Sequence, residues 1–253
     1  MADIRRARPP ASPAQEALWN IIFTLLLAAW LALGAGWPWA VGAVVGVFVH
    51  EFGHVLAMNG LGLGPAKIRI IPFFGGAATP AIPPETEFKD VLVSLAGPSF
   101  GLLAVLPFYA AAEITGNSVW LKAAIPVAVI NLLNLIPAPP LDGSRALGPV
   151  LARIHPQIER GVLVLVGAAA VWWCLQHRSF LIAVFIALSV YGALKRPTVR
   201  PFALKLTAAE QGLSLLLYLA VAALCVAALG FTLHLMDVPT APVELMRRAG
   251  IVR

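Results

Sequence analysis

Apolar residues run along this chain in long blocks rather than at alternate positions. Seven blocks stand out, at roughly 17–35, 39–59, 90–112, 118–136, 161–176, 179–194 and 211–235. A helix needs about 20 residues to cross the roughly 30 Å hydrocarbon core of a bilayer, and most of the blocks approach that length. The fifth and sixth are shorter, and only Gln176-His177-Arg178-Ser179 divides them. They form either a tight helical hairpin or a pair that does not fully cross. The pattern predicts an all-α membrane protein, a polytopic helical bundle of six or seven transmembrane spans. After the second block, residues 68–80 (IRIIPFFGGAATP) are β-prone at their start and Gly-rich in their middle, which predicts a short β-prone loop. The longest connections, at about 60–89 and 142–160, are too short to build a separate core.

Composition agrees with the pattern. The 253 residues are 60% hydrophobic and 12% charged, against about 25% charged in soluble domains. A net charge of +6 is compatible with nucleic-acid binding in principle. Here the basic residues sit in short clusters between apolar blocks and form no basic domain, which excludes that class. Cys174 and Cys225 both lie in apolar blocks outside any Cys-x-x-Cys pair and read as small buried side chains.

The N-terminus carries Arg5, Arg6 and Arg8, then Pro9, Pro10 and Pro13, before an apolar run from about Leu18 to Leu33. That run exceeds the 7–15 residues of a signal-peptide core, so an uncleaved first span behind a disordered cytoplasmic tail (1–16) is expected. With the N-terminus inside, thirteen of the 18 Lys and Arg residues fall on the cytoplasmic side and five on the other. Arg247, Arg248 and Arg253 then sit on the less favoured side. The high Ala and Pro content fits a prokaryotic cell membrane.

The chemistry is concentrated in the second block, which contains His50-Glu51-Phe52-Gly53-His54. In a chain of this composition a chance His-Glu-x-x-His match is expected on the order of 0.003 times. On a helix His50 and His54 share one face. Together they offer two ligands to a zinc ion, with Glu51 beside them as the general base for a polarised water. His50 falls about 17 Å along a helix entering near Trp39, past the bilayer midplane toward the cytoplasm in the orientation above. Glu51 at that depth costs about 2.5–3.5 kcal/mol by insertion scales, which marks a functional position.

A catalytic zinc site takes three protein ligands. Asp142 is the strongest candidate for the third, in Asn134-Leu135-Ile136-Pro137-Ala138-Pro139-Pro140-Leu141-Asp142-Gly143. The prolines break the helix that precedes it, and broken backbone at membrane depth must be buried in protein or line a water cavity. The competing reading is a Pro-rich loop with a solvated Asp-Gly turn.

Together these residues resemble the site-2 protease family of intramembrane zinc metalloproteases. His50-Glu51-Phe52-Gly53-His54 matches its first motif, and Asn134-x-x-Pro137-x-Pro139-x-Leu141-Asp142-Gly143 matches its second. The resemblance covers roughly residues 17–160. It implies that His50, His54 and Asp142 bind one zinc ion per chain and that Glu51 is the catalytic base. It implies that Asn134 holds substrate backbone or the developing oxyanion. Asn131, one turn earlier, lies outside the motif and is read as helix packing. The loop through Phe74, Gly75 and Gly76 is similar to the family's membrane-associated loop, which implies pairing with an extended substrate strand. Ala96-Gly97-Pro98-Ser99-Phe100-Gly101 resembles a third family pattern that usually ends in Asn where this chain has Gly101. Gly97 and Gly101, four apart, suit close helix packing.

The expected function is hydrolysis of a peptide bond in or near a transmembrane segment of a membrane protein, with the active site in the cytoplasmic half. Residues 17–160 would be the catalytic transmembrane core and 161–253 accessory spans and tail. The expected partners are a membrane-spanning protein substrate and the lipid bilayer. Two rivals remain. A non-catalytic relative would bind clients without needing Glu51. A metal transporter would use the same residues to line a pathway, but it often shows paired broken helices in two related halves, and only one broken segment is visible here.

Overall fold

The computed structural model describes residues 13–71, 75–138, 141–176, 178, 180–195 and 204–236. Of the expected disordered tail 1–16, residues 1–12 lie outside them, as does the segment 237–253, while residues 13–16 belong to the first helix instead. The described residues form α1 (Pro13–Ala35), α2 (Trp37–Gly60), β1 (Lys67–Ile71), β2 (Gly75–Thr79), α3 (Glu87–Gly101), α4 (Leu106–Thr115), α5 (Val119–Asn134), α6 (Asp142–Ile154), α7 (Pro156–Gln176), α8 (Phe180–Lys195) and α9 (Ala208–Leu235). One 3-10 turn, Leu102–Val105, joins α3 to α4.

Local sequence sets most boundaries. Gly36 takes φ +93° between α1 and α2, a backbone conformation that glycine reaches without strain, and Pro38 opens α2 where its missing N–H is harmless. Thr86 caps α3 by accepting from the Lys89 amide at 3.1 Å, and Thr207 with Glu210 forms a capping box at α9. Gly116, at φ +62°, turns the chain between α4 and α5.

Four helices among the described residues are long and apolar enough to cross a membrane: Trp37–Gly60, Glu87–Thr115, Pro156–Gln176 and Ala208–Leu235. Shorter apolar helices occupy Thr24–Ala35, Val119–Asn134 and Ile186–Lys195. These features are those of a helical membrane protein. An expectation of six or seven spans goes beyond the four that meet the length.

The helices are not equivalent. In the most apolar stretch of α2, 44% of residues are buried within the protein, and in α3–α4 56%, against 17% in α7 and in α9. The outer helices therefore turn large apolar side chains outward, among them Leu165, Trp172, Leu216 and Leu224. Helix α2 is the central one and packs chiefly on α3 and α5. Small residues let the backbones approach: a Cβ on Gly53 would sit 2.6 Å from the Ala96 carbonyl oxygen and 2.7 Å from Phe100 Cβ. Polar ties hold the remainder. The Tyr218 hydroxyl of α9 donates to the Leu135 carbonyl just beyond α5, at 2.6 Å. Tyr109 of α4 shares a hydrogen bond with Thr232 of α9, also at 2.6 Å.

Two segments differ from their reading as connections. Residues 142–154 form helix α6, which the block pattern missed because its apolar positions are interleaved with polar ones. Ala146, Pro149 and Val150 face the core, and Arg145 pairs with Asp90 of α3. The β-prone loop is an antiparallel hairpin, with Lys67 opposite Thr79 and Ile71 opposite Gly75. It lies beside α1 and α2.

Replacing Gly53 by Val is expected to destabilise the protein by about 1–3 kcal/mol, the usual range for overpacking. The check is a lowered thermal midpoint of the purified chain in detergent.

Candidate metal centre

His50 and His54 sit in the middle of α2, one turn apart, with ring centroids 4.8 Å apart and planes at 83°. Each ring is fixed from behind by a neighbouring helix. His54 Nδ1 donates to the Val93 carbonyl of α3 at 2.8 Å. His50 Nδ1 lies 2.9 Å from Asn131 Oδ1 of α5. The Asn131 amide nitrogen donates to the Val127 carbonyl at 2.8 Å, which turns the amide oxygen toward His50 and makes His50 Nδ1 a donor as well. In the neutral form of each ring, a proton on Nδ1 leaves Nε2 as the available ligand atom.

The two Nε2 atoms face one another, 3.1 Å apart, and Asp142 Oδ2 lies 3.0 Å from that of His50 and 3.2 Å from that of His54. Three potential ligand atoms, two imidazole nitrogens and a carboxylate oxygen, thus converge to within 3.2 Å of one another. Such a triangle repels itself unless a positive charge occupies it. Zinc bonds of about 2.0–2.2 Å in tetrahedral geometry separate ligand atoms by about 3.3 Å, close to the spacing observed. The donor set, two imidazoles and a carboxylate, fits a catalytic zinc ion.

Asp142 reaches this position because α6 begins immediately after the Pro break. Gly143 lets the first turn of α6 lie against the end of α5, since a Cβ there would overlap the Leu135 and Ile136 carbonyls. The Arg145–Asp90 pair then ties α6 to α3. The loop reading of Asp142 is therefore replaced by a helix N-terminus facing two histidines.

Glu51 follows His50 and is 5% exposed, and its Oε2 has no hydrogen-bond partner. Strand β2 covers it. A Cβ on Gly76 would lie 2.7 Å from Glu51 Cδ and 2.9 Å from Oε1, and the Ala78 amide is within reach of the carboxylate. Gly97 of α3 does the same beneath the imidazoles: a Cβ there would lie 2.9 Å from His50 Nε2 and closer still to the His54 ring.

Of the other sequence candidates, Asn134 is half-buried at the end of α5, and its amide nitrogen donates to the Ile130 carbonyl at 3.0 Å. Gly75 pairs with Ile71 in the hairpin, and Phe74 lies outside the described residues. Asn131, read from the sequence as helix packing, is fully buried and bonded across helices to His50. The signal was present in its type: an amide in an apolar helix needs a partner.

Removing the third donor is expected to disable metal binding. Asp142→Ala is expected to lose zinc affinity by more than the roughly 10–100-fold that loss of an outer hydrogen-bond partner costs. The check is metal analysis of the purified protein after dialysis against a graded series of chelator.

Two curated proteins resemble part of the chain. A provisionally named zinc metalloprotease of Synechocystis sp. is 27% identical over 149 residues, covering 54% of this chain and 39% of that protein. A zinc metalloprotease of Methanocaldococcus jannaschii is 30% identical over 121 residues, covering 46% and 34%. The chain thus spans little more than a third of the length of the curated relatives it matches. No family model and no solved structure matches it.

Proposed function

We propose that the chain is an intramembrane zinc endopeptidase of the site-2 protease kind. It hydrolyses a peptide bond in or near a transmembrane segment of a protein substrate. The observation that carries this reading is the convergence of His50 Nε2, His54 Nε2 and Asp142 Oδ2 to within 3.2 Å of one another, beside the buried carboxylate of Glu51, whose Oε2 has no hydrogen-bond partner. The names of the two relatives and the four membrane-length helices support the class and the setting.

His50 Nε2, His54 Nε2 and Asp142 Oδ2 would hold one zinc ion per chain. Bound there, zinc polarises the scissile carbonyl and makes water more acidic. Glu51 Oε2 then accepts a proton from the attacking water and delivers it to the leaving amide nitrogen. Its burial under Gly76 and Ala78 keeps it close to the donors and screened from bulk water. Strand β2 beside Glu51 offers backbone for pairing with an unwound substrate segment, because a helix hides its peptide bonds and an added strand exposes them. Gly75 and Gly76 present that backbone without side-chain obstruction. Asn134 Oδ1 and Nδ2, near the same end of α5, would orient substrate backbone once the bond to Ile130 is exchanged.

The charge distribution supports an N-terminus in the cytoplasm and a site in the cytoplasmic half. Cleavage there releases a cytoplasmic fragment or clears a remnant of an earlier cut.

Glu51→Gln tests this reading. The variant is expected to retain zinc and to lose cleavage of a tagged single-span client by about 10²–10⁴-fold, the contribution of a positioned base. The check is fragment mapping by mass spectrometry beside metal analysis. Equal product from variant and wild type ends the assignment. Metal uptake into vesicles without new peptide termini points to transport instead.

A further inference from the structure

We infer that Asn131 is a positioning residue for His50 that sets the affinity of the metal centre, and that it holds this place because position 101 carries no side chain. The inference rests on the reading of His50, His54 and Asp142 as metal ligands.

Three observations carry it. Asn131 is fully buried, on a helix that supplies no ligand, and its Oδ1 is 2.9 Å from His50 Nδ1. Its Nδ2 is engaged by the Val127 carbonyl one turn back, which fixes which end of the amide faces the imidazole. Gly101 of α3 supplies the space. A Cβ at 101 would lie 2.7 Å from Asn131 Cγ and Nδ2, and closer to Oδ1. The amide of Asn131 thus fills the volume that any side chain at 101 would enter.

The physical consequence follows from the tautomer. An acceptor on Nδ1 keeps the proton there, leaves Nε2 free for the metal, and fixes the plane of the ring. Replacing the acceptor by an apolar group leaves the buried Nδ1–H without a partner and frees the ring to turn or to shift its proton to Nε2. His54 is served by a backbone carbonyl, that of Val93, which no side-chain substitution removes. His50 is therefore the imidazole whose orientation depends on a replaceable group.

The test uses the full chain purified in detergent. Zinc affinity is measured by competition with a chromophoric chelator, and the d–d absorption of the cobalt-substituted protein reports ligand geometry. Asn131→Leu, similar in volume and lacking an acceptor, is expected to bind zinc about 10–100-fold more weakly and to change the cobalt spectrum. Asn131→Asp, which retains an acceptor at the same atom, is expected to stay much closer to wild type and to keep the spectrum. Gly101→Ala is expected to weaken zinc binding in the native background by displacing the amide. In an Asn131→Ala background it is expected to add little, the non-additivity of two residues acting through one contact. The Asn131→Asp and Gly101→Ala/Asn131→Ala proteins keep the test decisive if Asn131→Leu fails to fold. Wild-type affinity in Asn131→Leu, or equal loss in Asn131→Asp and Asn131→Leu, overturns the inference alone. A wild-type protein that binds no zinc overturns the metal centre and this inference together.

Discussion

Two imidazole nitrogens and a carboxylate oxygen crowded together inside a helical bundle are the constraint on which the structure turns. His50 Nε2, His54 Nε2 and Asp142 Oδ2 come within 3.0–3.2 Å of one another. In an apolar interior such an arrangement is unfavourable by itself, because electrostatic repulsion is screened far less than in water. The surrounding helices hold it in place, and a bound cation would resolve it. The close helix approaches, the break before Asp142 and the ties on α6 all bear on these three atoms.

The chain solves a second problem at the same time. Polar groups in an apolar bundle are destabilising unless each finds a partner. Here the partners come from neighbouring helices. Val93 and Asn131 take the imidazole protons, Arg145 meets Asp90, and Tyr218 covers the carbonyl of Leu135 at the edge of the Pro break. Each bond satisfies a buried group and also fixes one helix relative to another. Glu51 Oε2 is among the buried atoms without a hydrogen-bond partner. A carboxylate free to take up a proton beside a metal site is what the proposed reaction requires.

Small residues form the other half of this design. Gly97 admits the two imidazoles and Gly76 admits Glu51. The hairpin thereby lies against the base, and the strand proposed to bind substrate forms a wall of the centre. Substrate pairing and proton transfer would then be adjacent events, with little rearrangement between them.

Sequence patterning made the class legible. Apolar blocks of membrane length, the His-Glu-x-x-His turn and the β-prone Gly-rich stretch each arise from short-range periodicity or composition, and each appears in the structure as a helix, a shared helix face or a hairpin. Asp142 was legible as a candidate because few other residues had the right chemistry. Helix α6 was not, since an amphipathic helix without a long apolar block has no signature of the kind that revealed the others. Nor was the role of Asn131, because its partner lies 81 residues away and nothing local tells a packing amide from one that orients a ligand. Periodicity and residue type are properties of neighbours along the chain, so they decided which chemistry the protein carries. Which nitrogen of each histidine is free, and which glycine makes room for it, depends on contacts between helices distant in sequence, and only the packed structure decides those.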